Sequence, residues 1–276
     1  MNRAFVVVVI GSLAACGNDQ VADDMPAIDA PGTPADAPEQ VTDISANITT
    51  DTTLSGLIKI HNTISIPAGV TVTVMPHSRI QIGQVADIQI AGTLTIAGTK
   101  DGPVYIEPLD SQVNWDAFEL TTTTGMLDMT YVIQTGGGIY ISNGHVKARD
   151  SQFSRVTHDL LVVSGGANVD FQYSWIGQPI GTSDTTHCDM HIEGGTPTVV
   201  VSHSNISTSA YGVMFYAGAS VDFTYNNWFS NALDIDRHPP ASGDVSHGWF
   251  KAGNPALTGV TANNMATGQI TDAGPR

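Results

Sequence analysis

The chain has 276 residues, enough to bury a core of its own, but only 13% of them are charged, and Gly, Thr, Ser, Val and Ile recur throughout, as in β-rich, helix-poor proteins. A net charge of −16 argues against nucleic acid as a partner, because little here could release counterions from a phosphate backbone, and equally against electrostatic docking on anionic lipid.

The first element is an export signal. Asn2-Arg3 give a short basic start, and Ala4 to Leu13 form an apolar run too short to span a bilayer. Leu13-Ala14-Ala15-Cys16 then resembles a bacterial lipobox. The resemblance implies a signal over residues 1–16, a lipidated Cys16 as the first mature residue, and a membrane partner held through acyl chains. Gly17 stands where an Asp would retain a lipoprotein at the inner membrane, which points to the outer membrane of a bacterial envelope. Cys188 is then the one thiol left, so no intramolecular disulfide forms.

Residues 17–44 hold seven acids, no Lys or Arg, four prolines and five alanines. Such a segment buries nothing and repels itself, so the sequence predicts a disordered spacer without packed structure as far as residue 44 and a folded domain over 45–276.

Within that domain the texture is of short β runs punctuated by Gly, with no 3.6-residue apolar period. Ala68-Gly69 heads a strand-like run, and Ala91-Gly92 heads another 23 residues later. Four segments align further on: 146–153, 169–176, 199–206 and 221–228, their starts 23, 30 and 22 residues apart. Positions 1, 3 and 8 are apolar or small (Val146, Ala148, Phe153; Val169, Phe171, Ile176; Val199, Val201, Ile206; Val221, Phe223, Trp228). Position 6 is always small and polar: Ser151, Ser174, Ser204, Asn226. Short strands at this period, without intervening helices, predict a β-solenoid whose turns pair in parallel about 4.8 Å apart. The four position-6 residues are then expected to form a corner ladder. A β-sandwich is the competing architecture, but it requires no register between residues 23 apart.

The opening coils carry a resemblance. Pro67-Ala68-Gly69-Val70, Gly92-Thr93-Leu94, Gly98-Thr99 and Pro103-Val104 resemble the first coils of bacterial surface proteins of the pectate-lyase-like superfamily, with His77-Ser78 replacing one Gly-Thr corner. The resemblance covers roughly 54–235 and implies a single-stranded right-handed parallel β-helix, here of about nine coils. Its functions range from lyases and hydrolases to non-catalytic surface proteins, so activity has to be argued from a site.

Candidate sites are sparse. Lyases of this fold need an Arg or Lys base and a cation, and only nine Lys or Arg are spread over residues 45–276. Lys147, Arg149 and Arg155 form the densest basic group, and the alignment sets Lys147 beside Asp170 as a surface ion pair. Hydrolases of this fold cluster carboxylates, for which Asp234, Asp236, Arg237 and His238 are the weak catalytic candidates, with Asp244 and His247 nearby in sequence. His187, Cys188 and His191 have Cys-x-x-His spacing suited to zinc but lack a fourth ligand and a second chelating pair. Tyr173, His203 and Tyr225 share position 5, where alternation points them outward, and are the ligand-binding candidates. The 30-residue coil predicts an inserted loop between Ile176 and Met190 that would wall a groove floored by those three rings.

The expectation is a tethered, non-catalytic β-helix without a cofactor, which binds carbohydrate or another envelope component or serves a structural role. The rival is a polysaccharide lyase or glycoside hydrolase acting on an acidic glycan, with Ca²⁺ needed only by the lyase.

Overall fold

A computed structural model describes residues 40–111, 113–154, 158–177, 187–216 and 218–276. The export signal with Cys16, the spacer as far as residue 39, Arg155 and residues 178–186 of the expected insertion lie outside the described residues. Among the described residues no helix is long and apolar enough to cross a membrane.

The alternation of apolar and polar residues is what makes these strands. Leu57–Ile60 and Arg79–Ile82 both bury every second side chain, as a pleated strand with one wet face must. Strands of this kind stack into three parallel sheets. The first has ten strands, from Val41–Ile44 to Trp249–Phe250; the second has eight, from Ile64–Ile66 to Leu233–Arg237; the third has ten, from Thr52–Leu54 to Val260–Thr261. The chain visits third, first and second sheet in rotation, which makes it a right-handed parallel β-helix of about nine coils.

The repeat alignment is realised strand by strand. Val146, Val169, Val199 and Val221 are direct partners on successive third-sheet strands, and Phe153, Ile176, Ile206 and Trp228 are partners on the first sheet. All eight are buried in one continuous core. Early coils fill that core with isoleucine, as in the column Ile58, Ile80, Ile106. Later coils fill it with rings: Phe153 lies 5.3 Å from Phe171, and Trp228 lies 5.3 Å from Phe250.

The corner between third and first sheets is held by the position-6 residues. The backbone N–H of Ser151 donates to Ser174 Oγ (3.4 Å), that of Ser174 to Ser204 Oγ (3.1 Å), and that of Ser204 to Asn226 Oδ1 (2.8 Å). Each Ser hydroxyl in turn donates to the carbonyl two residues back. All four side chains are fully buried, so the N–H groups of Ser151, Ser174 and Ser204 depend on the next coil for their acceptors. Ser174→Ala strands the Ser151 N–H and is expected to cost about 1–3 kcal/mol in urea denaturation. A loss below about 0.5 kcal/mol would remove the ladder from the account of stability.

One boundary differs from expectation. Val41–Ile44 is a strand paired with Leu57–Ile60, with Ile44 buried at its end, so the β-helix begins before residue 45 and the spacer's lack of packed structure does not extend to residue 44. The acidic, Pro-rich average over 17–44 hid four residues whose own alternation is that of a strand.

Candidate functional site

The position-5 residues sit in a corner of unusual backbone. Tyr131, Asp150, Tyr173, His203, Tyr225 and His247 all have positive φ, between 48° and 63°. Non-glycine residues pay for that conformation, of order 1 kcal/mol each, and in the last four of these stacking offsets it. Tyr173 stacks on His203 (5.0 Å), His203 on Tyr225 (4.9 Å) and Tyr225 on His247 (4.5 Å). The residues after Asn264 run back along these coils: Ile270 exchanges hydrogen bonds with the Asn227 side chain, and the Gly274 N–H donates to the His203 carbonyl. Arg276 then lies 3.7 Å over the Tyr173 ring and donates twice to the buried Asp150 carboxylate (2.9 and 3.1 Å). Tyr173, His203 and Tyr225 therefore point outward, but each has both ring faces covered, so only edges remain for a ligand.

The described ends of the insertion lie at a different corner. Its described feet are Gly177, which follows a first-sheet strand, and His187, which precedes a second-sheet strand, whereas the ring stack lies between third and first sheets. Residues 178–186, and with them the groove they were expected to wall, lie outside the described residues.

What gathers at the loop's foot is a carboxylate ringed by imidazoles. Asp159 pairs with Cys188 across adjacent second-sheet strands, and its carboxylate is almost wholly buried. Its Oδ2 is 2.9 Å from His158 Nδ1 and 3.0 Å from His191 Nδ1. Its Oδ1 is 3.0 Å from His187 Nδ1 and accepts the Cys188 backbone N–H at 3.0 Å. Burial alone would raise the Asp159 carboxyl, but hydrogen bonds from His191 and His187, with the charge of His158 and His191, hold it below the ordinary carboxylate range. Two ring rows run from this centre along the helix axis. His158 stacks on His187, which meets Tyr211 edge-on; His191 lies against Tyr216, which stacks on His238 at 4.2 Å.

The three zinc candidates of the sequence all lie around this carboxylate but divide between two donor groups: His187 with His158 and Asp159, and Cys188 and His191 with Asp159. Cys188 itself is fully buried, and its thiol is pushed far up, first by burial and then by Asp159. Iodoacetamide at pH 8 is expected to leave Cys188 unmodified in the native protein and to alkylate it in urea, read by mass spectrometry. Rapid native alkylation would contradict this placement.

The weak catalytic group is dispersed. Asp236 pairs with His238 (3.3 Å) on the ring-lined face. Asp234 bonds instead to Asn231, and its carboxyl is raised by burial against that hydrogen bond. Arg237 donates to the Ala241 carbonyl and packs against Gly259, away from both acids. Asp244 lies on the third sheet and His247 in the ring stack, so neither joins them. Lys147 stands between Asp128 and Asp170 in its column, and Arg149 bonds Gln172.

Asp159, His158, Tyr211 and Tyr216 went unmarked in the sequence. The available signal was Thr157-His158-Asp159 recurring as Thr186-His187-Cys188 at an interval of one coil. No protein-family model, curated protein or solved structure matches the chain.

Proposed function

We propose that this is a lipid-anchored bacterial envelope protein whose β-helix binds carbohydrate, without turning it over, on the second-sheet face lined by His158, His187, His191, Tyr211, Tyr216 and His238. The observation that carries this reading is the convergence of imidazoles, tyrosines and a buried carboxylate on one solvent-facing strip. Imidazole and phenol groups donate and accept hydrogen bonds with sugar hydroxyls, and their rings give flat apolar edges. The stack of Tyr173, His203 and Tyr225 supports it by contrast, since those ring faces are already used within the fold.

A binding role fits the local charge chemistry better than catalysis does. Asp159, depressed by hydrogen bonds from two imidazoles and the charge of a third, is a poor general acid, and Arg237 is tied to the backbone away from this face. The cluster's nitrogen donors are not the oxygen ligands that Ca²⁺ prefers. The net charge of −16 favours an uncharged glycan over an acidic one.

Anchoring rests on Leu13-Ala14-Ala15-Cys16. Cys16→Ser is expected to move the protein from the membrane to the soluble fraction of cells. The purified full chain, screened on a glycan array and then incubated with each bound glycan, is expected to bind neutral polysaccharide and release no product. Binding confined to acidic glycans with appearance of cleavage products would replace this reading with the lyase or hydrolase one, and no binding at all would leave the structural role.

A further inference from the structure

Beyond glycan binding, the donor set around Asp159 has its own chemistry. We propose that His158, Asp159 and His187 bind a divalent transition-metal ion of the zinc class, with a coordination position left open to solvent.

The geometry is close to a coordination shell. The Nδ1 atoms of His158 and His187 lie 2.9 and 3.0 Å from the two oxygens of one carboxylate, and the three donor atoms are all within 4.8 Å of one another. Zinc bonds of about 2.0–2.2 Å to N and O in a tetrahedron place ligand atoms roughly 3.4 Å apart. The N–O spacings therefore have to open by only a few tenths of an ångström, and the two imidazoles, stacked on each other, are 67% and 39% exposed. The carboxylate is already oriented. His191 holds Oδ2 at 3.0 Å, and the Cys188 backbone N–H holds Oδ1, the outer-shell support that metal-binding carboxylates commonly have. Nitrogen donors with one carboxylate suit zinc and its neighbours in the series and not magnesium or calcium.

A second triad, Asp159, Cys188 and His191, shares the carboxylate. It is the more enclosed of the two: Cys188 is fully buried, and His191 is only 19% exposed. Three protein ligands with a free fourth place on an exposed face describe the outer triad, and that is the arrangement in which zinc takes up water or an exogenous oxygen. Metal uptake is measured with no glycan present and so does not depend on the glycan reading.

The test uses the untagged full chain, stripped of metal by chelation and titrated with Zn²⁺ by calorimetry, and with Co²⁺ by absorption. One Zn²⁺ per chain is expected. His158→Ala and His187→Ala are each expected to weaken binding at least about ten-fold, and the double variant to abolish it. Cys188→Ser and His203→Ala are expected to bind as the parent does, and the cobalt spectrum to show d–d bands without sulfur charge transfer. His158 is exposed, so its replacement leaves the coil intact, as circular dichroism and the melting curve verify. No stoichiometric uptake, uptake indifferent to the double variant, or uptake lost in Cys188→Ser with a sulfur–cobalt band would each overturn the proposal.

Discussion

Trp228→Ala is expected to lower the stability of the β-helix by about 3–5 kcal/mol, the largest single loss in the later coils. Trp228 is fully buried, stacks on Phe250 at an interplanar angle of 5° and meets Phe223 edge-on at 5.8 Å. Truncation leaves a ring-sized cavity between three coils, and parallel backbone pairing prevents the neighbours from collapsing into it. Trp228→Phe separates packing from polarity. Its indole N–H finds no acceptor among the described residues, so phenylalanine loses some volume but also removes a buried unpaired donor. Guanidinium denaturation is expected to give a loss of no more than about 1.5 kcal/mol for Phe against several for Ala. Equal losses for the two would show that the ring's size is not what holds these coils.

Asp159→Ala is expected to cost about 2–3 kcal/mol in the presence of a chelator, from loss of charge-assisted hydrogen bonds and of the acceptor for the buried Cys188 N–H. Asp159→Asn keeps an acceptor oxygen for that N–H while removing the charge the imidazoles face, so its loss is expected to be about half as large. Urea denaturation of the three proteins reads this directly. A change within about 0.5 kcal/mol for Asp159→Ala would mean that the imidazoles are placed by their own strands and do not depend on the carboxylate.

The third sheet and its corner were legible because their signals are local and periodic. Val169-Asp170-Phe171 and Val221-Asp222-Phe223 display their alternation openly, and the small polar residue three places on marks a corner that admits nothing larger. The second sheet was not legible in the same way. Asp159 and Cys188 are partners, but the 30-residue coil stands between their sequence positions and blurs the register that would have set Thr-His-Asp against Thr-His-Cys. The outward direction of Tyr173, His203 and Tyr225 followed from alternation, whereas their mutual stacking followed from a left-handed corner, and nothing in the residue types Tyr and His announces positive φ. Arg276 closes on Asp150 across 126 residues, a contact that no local pattern encodes. Arg237 and His238 are neighbours in sequence, but Arg237 ends a strand and bonds the Ala241 carbonyl while His238 just beyond it pairs with Asp236, which is why the polar run did not become one cluster.

The central claim, that the second-sheet face is where this protein meets its ligand, is tested most directly by hydrogen–deuterium exchange on the full chain, with and without the neutral polysaccharide bound most tightly on the array. Slowed exchange is expected in 158–163, 187–193, 211–216 and 233–238, with 173, 203 and 225 unchanged. Protection centred on the Tyr173–His203–Tyr225 stack, with the His158–His187–His191 strands unaffected, would contradict the account.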